Sequence, residues 1–259
     1  MVTFKEQVYA WRSVIFALFL REFQSRFNDK FGLSWAFIEP FIFIAILSFI
    51  RGMISGGVVH SIPIFIFMMI GLVGLRTFTT CLNSVSVSIK RNKPLYAFRQ
   101  VHPISSIVTA GFVELTIKSI VVGLLILSIY LLEETFSIND PLLLIFLFLL
   151  LWIFSVALGL IFSIASAFIP EIDKIRSMLT RPLMFVSCVF FSLQDIPESL
   201  WPYFTWNPLV HFNELARYAC FESYGHKGVS LSFILKVTFT CLFLSLSLYH
   251  ITWKKVLSR

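Results

Sequence analysis

Charge is scarce in this sequence. Asp, Glu, Lys and Arg make up 14% of 259 residues, where a soluble domain carries about a quarter. Acids are scarcer still, 14 against 21 bases. With 58% of its residues hydrophobic, the chain has too few polar groups to cover a globular surface, which excludes a soluble domain and implies a polytopic membrane protein. Cysteine is sparse too: Cys81, Cys188 and Cys241 fall in apolar stretches and Cys220 in a polar one, with no metal-ligand spacing. Neither a disulfide framework nor a metal site is expected. Gly-x-x-x-x-Gly-Lys-Ser/Thr, His-Glu-x-x-His and Gly-x-Ser-x-Gly are all absent, which removes the corresponding phosphate-loop, zinc-peptidase and serine-hydrolase chemistries. Lys5, Glu6 and Arg12 interrupt the N-terminus, so a cleaved signal peptide is not expected.

Long apolar runs are what the chain has. They lie near 36–54, 62–84, 104–131, 142–167, 175–194 and 231–251, and six transmembrane helices in an all-α fold are expected from them. The fifth is the shortest, since Pro182 to Leu193 alone cannot cross about 30 Å of hydrocarbon, so it must begin near Lys174. Residues 1–31 read differently. Phe4, Val8, Trp11, Ile15, Leu18 or Phe19, Phe23 and Phe27 recur at helical spacing, with Lys5, Glu6, Arg12, Gln24 and Ser25 opposite; this is the pattern of an amphipathic helix on the membrane surface. Gly32 permits the turn into the bilayer and Trp35 sits where a headgroup-level ring is expected. Residues 32–259 then form the transmembrane domain.

Bases cluster in alternate loops: Lys5, Arg12, Arg21, Arg26 and Lys30; Lys90, Arg91, Lys93 and Arg99; Lys174, Arg176 and Arg181; Lys254, Lys255 and Arg259. The positive-inside rule puts these, and both termini, in the cytoplasm. The net charge of +7 reads as this topology signal rather than as a nucleic-acid footprint.

Two loops are more than connectors. Residues 90–103 mix Lys90, Arg91, Lys93 and Arg99 with Tyr96 and Phe98; they read either as a docking surface with aromatic anchors or as an ordinary basic loop. Residues 194–228, with Trp201, Trp206, Asn207 and Pro208, are too long and aromatic for a plain turn, and short re-entrant or interfacial helices on the outer side are expected. Inside the spans, Arg76, Glu114, Lys118, Lys236 and Glu39 are ionisable, and such groups face a partner or a wet cavity. Glu114 and Lys118 can neutralise each other at i,i+4. Glu39 is the acid that matches Arg76; without it, Arg76 is free to meet an anionic substrate. Among 30 phenylalanines, most pack or face lipid and some can line a passage.

These residues together resemble a known family. The interface helix, Gly-Leu-Ser-Trp-Ala-Phe-Ile-Glu-Pro at 32–40, the basic loop after the second span, Glu-Ile-Asp-Lys-Ile-Arg at 171–176, and Asn207-Pro208-Leu209 followed by Glu214 and Arg217 look like the membrane subunit of an ABC-2 type exporter, nearest to the inner-membrane permeases of Gram-negative capsular polysaccharide export. The resemblance covers essentially the whole chain. One departure is Ile169-Pro170-Glu171-Ile172-Asp173, where such permeases more often carry an Arg-Asp pair. O-antigen or teichoic-acid exporters remain alternatives on these motifs, and a small-molecule or drug exporter would not require the Trp-x-x-x-Glu-Pro motif.

The resemblance implies a homodimer that binds two copies of a separate ATP-binding subunit, which would hold ATP and Mg, with no cofactor in this chain. It implies a periplasmic co-polymerase or adaptor and an outer-membrane exporter as further partners, and a lipid-linked polysaccharide as cargo. Lys90, Arg91, Lys93, Tyr96, Phe98 and Arg99 would couple to the ATPase, and Arg21, Arg26 and Lys30 would meet the lipid phosphate. Trp35, Phe37, Phe41, Arg76, Arg181, Phe185, Phe190 and Phe191 would line the channel, and Trp201, Trp206, Asn207, Pro208, Glu214 and Arg217 would form a periplasmic gate. The excess of intramembrane base suggests an acidic polymer.

Overall fold

The computed structural model describes residues 4–27, 32–98, 100–131 and 138–257. Helix α1 (Phe4–Phe27) precedes α2 (Gly32–Ser55), a two-residue hairpin of β1 (Val58–Val59) and β2 (Ile62–Pro63), then α3 (Ile64–Arg91), α4 (Pro103–Leu131) and α5 (Pro141–Phe168). After these come α6 (Ile172–Val186), a four-residue α7 (Pro202–Thr205), α8 (Pro208–Cys220) and α9 (Leu231–Leu257). The chain is an all-α membrane protein. Among the described residues, five helices are long and apolar enough to cross a bilayer: α2, α3, α4, α5 and α9.

The span expected near 175–194 takes another form. Helix α6 has 15 residues, about 22 Å at ~1.5 Å per residue, and it ends where Cys188 adopts φ 51°. A helix that stops in apolar surroundings leaves carbonyls without partners. Here α8 supplies them: Asn207 Nδ2 donates to Val186 O (3.3 Å) and Ser187 Oγ (3.1 Å), and Asn213 Nδ2 donates to Ser187 O (2.8 Å).

Helix α3 is the centre of the bundle, packed on α2, α4, α5 and α8. Small residues let its neighbours approach closely. A side chain at Gly159 of α5 would put its Cβ 2.7 Å from Val85 of α3. Between α4 and α5, Trp152 Nε1 donates to Gly111 O at 2.7 Å. Helix α1 lies across α4, with Trp11 Nε1 donating to Ser105 Oγ at 3.0 Å.

Gly159→Val forces α3 and α5 apart, and overpacking of this kind costs about 1–3 kcal/mol. The variant is expected to melt at lower temperature than wild type in detergent, followed by size-exclusion chromatography after heating; an unchanged melting point would contradict the close approach.

Candidate functional site

Three polar clusters run along the bundle. At the base-rich end, α1 is tied to the loop after α3. Glu22, 4% exposed, pairs with Arg91, and Arg21 donates to Asn92. Lys90 Nζ reaches Asp173 Oδ2 at 2.7 Å, and Arg176 of the same helix donates to Asn83 O at 3.1 Å. The loop itself holds a 3-10 turn, Lys93–Ala97. Tyr96 donates to Ser106 Oγ at 3.0 Å; burial pushes its hydroxyl up to about 12, with the Ser106 hydrogen bond opposing the shift. Phe98 is 65% exposed. Of the expected coupling residues, then, Lys90, Arg91 and Tyr96 bond within the chain, and Phe98 presents a free ring. Lys30 and Arg99 lie outside the described residues.

The second cluster sits between α1, α2, α3 and α4. Arg76 Nη1 lies 3.0 Å from Glu39 Oε1, the match expected from the sequence. Glu114 does not pair with Lys118; Arg26 of α1 reaches it instead at 3.0 Å and also donates to Ser84 Oγ at 3.1 Å. Arg26, Glu39, Arg76 and Glu114, with Lys118, Thr77 and Thr80, line a cavity of about 250 Å³.

The third cluster organises residues 187–230. Arg217 is fully buried. It donates to Glu214 Oε1 (2.8 Å), Val189 O (2.9 Å) and Phe191 O (3.4 Å), and its guanidinium lies 3.6 Å from the Phe67 ring centroid. Glu214 also accepts from Leu193 N (3.3 Å) and Tyr224 Oη (2.8 Å). Burial holds the Glu214 carboxyl above the usual carboxylate range, with Arg217 and the Tyr224 and Leu193 hydrogen bonds opposing that shift; the three donors give both of its buried oxygens a partner. Gly71 of α3 gives this pair room, since a Cβ there would lie 2.9 Å from Arg217 Nη2 and 3.0 Å from Val189 O. His211 accepts from Ser230 N at Nδ1 (3.0 Å) and donates from Nε2 to Thr205 O (2.8 Å), the bonding of a neutral imidazole, and burial lowers its pKa. Across the top, Asp195 meets His60 Nε2 at 2.7 Å and Arg51 at 3.9 Å, joining the hairpin to this region.

The residues expected at a periplasmic gate therefore divide. Asn207, Glu214 and Arg217 are buried and hold irregular backbone, and Pro208 begins α8. Trp201 packs against Gly228 and donates to Ile196 O, while Trp206 is 65% exposed. The expected channel aromatics divide too. Phe37 and Phe41 stack at 5.6 Å, Phe41 meets Phe65, and Phe191 packs edge-on against Phe204 at 5.9 Å. Phe190 is half-buried beside Phe185. Trp35, Arg181 and Phe185 are exposed. Reading the sequence missed Glu22, Asn213 and Tyr224. Glu22 had a signal, an acid next to Phe23 and three residues from Phe19 on the packing stripe of α1.

Removing one member of a buried pair costs about 3–5 kcal/mol. Arg217→Met is expected to abolish the monodisperse folded species on size exclusion, and Arg217→Lys to recover little, because one ammonium cannot fork to Glu214 and two carbonyls. A normally melting Arg217→Met protein would refute the clamp.

The ABC-2 type transporter family profile matches residues 13–221. Polysialic acid transport protein KpsM of Escherichia coli is 37% identical over 235 residues, 90% of this chain and 91% of that protein. Capsule polysaccharide export inner-membrane protein BexB of Haemophilus influenzae is 26% identical over 220 residues, covering 85% and 83%. Capsule polysaccharide export inner-membrane protein CtrC of Neisseria meningitidis serogroup B is 27% identical over 226 residues, covering 85% and 84%. Five long apolar helices with α3 at their centre, preceded by α1 and closed by the region held by Arg217, form the body of a chain that belongs to the ABC-2 type transporter family.

Proposed function

We propose that this chain is the membrane subunit of an ATP-driven exporter that carries a lipid-linked, acidic capsular polysaccharide out of the cytoplasm across the bacterial inner membrane. The observation that carries the reading is the near full-length similarity to a polysialic acid transport protein and to two capsule export proteins. A separate ATP-binding subunit, two copies on a homodimer, drives it, and the bases clustered in alternate loops support termini on the cytoplasmic side. A periplasmic adaptor and an outer-membrane exporter would complete the route.

On this reading the ATPase seats against Phe98 and the turn at Lys93–Ala97, and the paired bases transmit its motion. A push on the loop moves α1 through Arg91 and Glu22, moves α6 through Lys90 and Asp173, and reaches α4 through Arg26 and Glu114. Arg21, Arg26 and Lys30 meet the phosphate of the lipid anchor at the interface. The exposed Trp35, Arg181 and Phe185 line the path, where aromatic rings suit the C–H faces of sugars.

Deleting the gene in its own host is expected to remove polysaccharide from the surface and leave polymer inside the cell; composition of the trapped material separates capsule from O-antigen. Arg91→Glu is expected to give the same defect with normal membrane insertion, and Glu22→Arg combined with Arg91→Glu to restore export in part. Unchanged surface polymer in the deletion strain would overturn the reading in favour of a small-molecule exporter.

A further inference from the structure

At the end of the bundle away from the basic loops, α2 and α3 are joined by the hairpin of β1 and β2, whose two turn residues are His60 and Ser61. Both have positive φ, 47° and 68°. A two-residue hairpin turn demands that conformation, and Asn or Gly adopts it more readily than His. A residue other than glycine held there is over-determined by its surroundings, and such residues gather where the structure has a task. The hairpin is anchored below its tip: Val59 and Ile62 are buried, and the strands pack on α2 and α3. His60 stays accessible and reaches across, donating from Nε2 to Asp195 Oδ1 at 2.7 Å. One turn before the end of α2, Arg51 Nη2 lies 3.9 Å from Asp195 Oδ2.

Asp195 belongs to the other side. Its Oδ2 accepts from Ser192 N (2.9 Å) and Gln194 N donates to Ser192 Oγ (3.1 Å); Tyr224 Oη lies 2.6 Å from Ser192 Oγ, and Gln194 Nε2 donates to Tyr224 O at 2.6 Å. These bonds fix the carboxylate to the block built on Glu214 and Arg217, while both of its outer partners come from α2 and the hairpin. The two kinds of contact differ in character. Arg217 is fully buried, whereas the side chains of Arg51, His60 and Asp195 are 25%, 34% and 35% accessible. Accessible pairs contribute little to stability and take water in exchange for a partner. Among the described residues no hydrogen bond or ion pair joins α2 to α6, so their outer ends are tied through Asp195. Of the five long apolar helices α2 is the least enclosed, and Pro40 interrupts its hydrogen-bond ladder. It is the element best able to tilt.

We propose that Asp195, with His60 and Arg51, is a releasable catch that holds the outer mouth closed between α2 and the segment that follows α6. This rests on the exporter reading above, which runs the path along α2 and α6 and turns this end of the bundle outward. In the closed state one carboxylate bridges the hairpin tip and the end of α2 to residues 192–195. For cargo to leave, α2 and the hairpin tip tilt away from those residues, and three accessible side chains exchange each other for water. The Arg217 clamp does not open with them, because breaking it would strand a buried charge; it keeps residues 189–193 beside α3 while the catch cycles. A contact that is cheap to break and one that is costly to break thus meet on the same short stretch, and they divide the work of closing and of holding.

Thiol bridging in the full complex with its ATP-binding subunit tests it. In the double variant His60→Cys with Asp195→Cys, a short bis-methanethiosulfonate is expected to bridge the two positions within one chain, read by mass spectrometry, when no nucleotide is present. Addition of a non-hydrolysable ATP analogue should slow bridging by about tenfold or more, as for a contact that the transport cycle opens. Once bridged, the protein should lose export, and a reductant should restore it. The single variants His60→Cys and Asp195→Cys, given the same reagent, should keep export, which controls for reaction at the partly accessible native Cys241. A merely structural tie would give a bridged protein that melts higher and exports normally. That result, failure to bridge in the resting complex, or a bridging rate indifferent to nucleotide overturns the catch. Bridging and its nucleotide dependence are measured without polymer, so they stand or fall independently of the cargo named above.

Discussion

Arg217 reaches one carboxylate and two backbone carbonyls on a stretch of chain that has no long helix of its own. Residues 187–192 are irregular, and irregular backbone within an apolar bundle survives only if every polar group finds a partner. Arg217 and Glu214, with Tyr224, Asn207 and Asn213, provide those partners from α8 and the turn after it. Because this clamp exists, α6 can stop short and the chain can fold back beside α3. Gly71 and Gly74 of α3 leave the space it occupies; a Cβ at Gly74 would lie 2.5 Å from Asn213 Oδ1. The bundle therefore has a side-chain network where the apolar run near 175–194 would suggest a sixth regular span.

The opposite end is built on another principle. There the ion pairs are partly exposed, with Arg91, Lys90 and Arg26 each more than a third accessible, and such pairs contribute little to stability. Their value is geometric. Arg91 and Lys90 join the last turn of α3 to α1 and to α6, and Arg26 joins α1 to α4. The packing at the centre is close, with Gly159 against Val85 and Trp152 against Gly111.

How much of this the sequence discloses depends on how local the signal is. Five of the long spans and the helix at Phe4–Phe27 are legible because apolar runs and helical spacing are local properties. Glu39 with Arg76 is legible because Arg76 is the isolated charge of its span and Glu39 the one acid of the span before it. Glu114 is not, since its partner Arg26 lies 88 positions away on an element outside the spans, and i,i+4 spacing to Lys118 offers a plausible local answer that the packing does not use. The length of α6 is hidden for the same reason: Pro182 to Leu193 reads as apolar span, and the amides that end it come from α8. Glu214 and Arg217 stand out as a motif, but a gate and a buried clamp have the same residue types.

The central claim is that this chain conducts a lipid-linked polysaccharide when an ATP-binding partner drives it. The most direct measurement is transport in proteoliposomes holding this chain with its ATP-binding subunit, using polymer recovered from the cytoplasm of an export-deficient host. ATP-dependent protection of that polymer from an added glycosidase, lost when ATP is replaced by a non-hydrolysable analogue, is the predicted result. Protection that is equal with and without ATP, or absent although the complex hydrolyses ATP, would contradict the account.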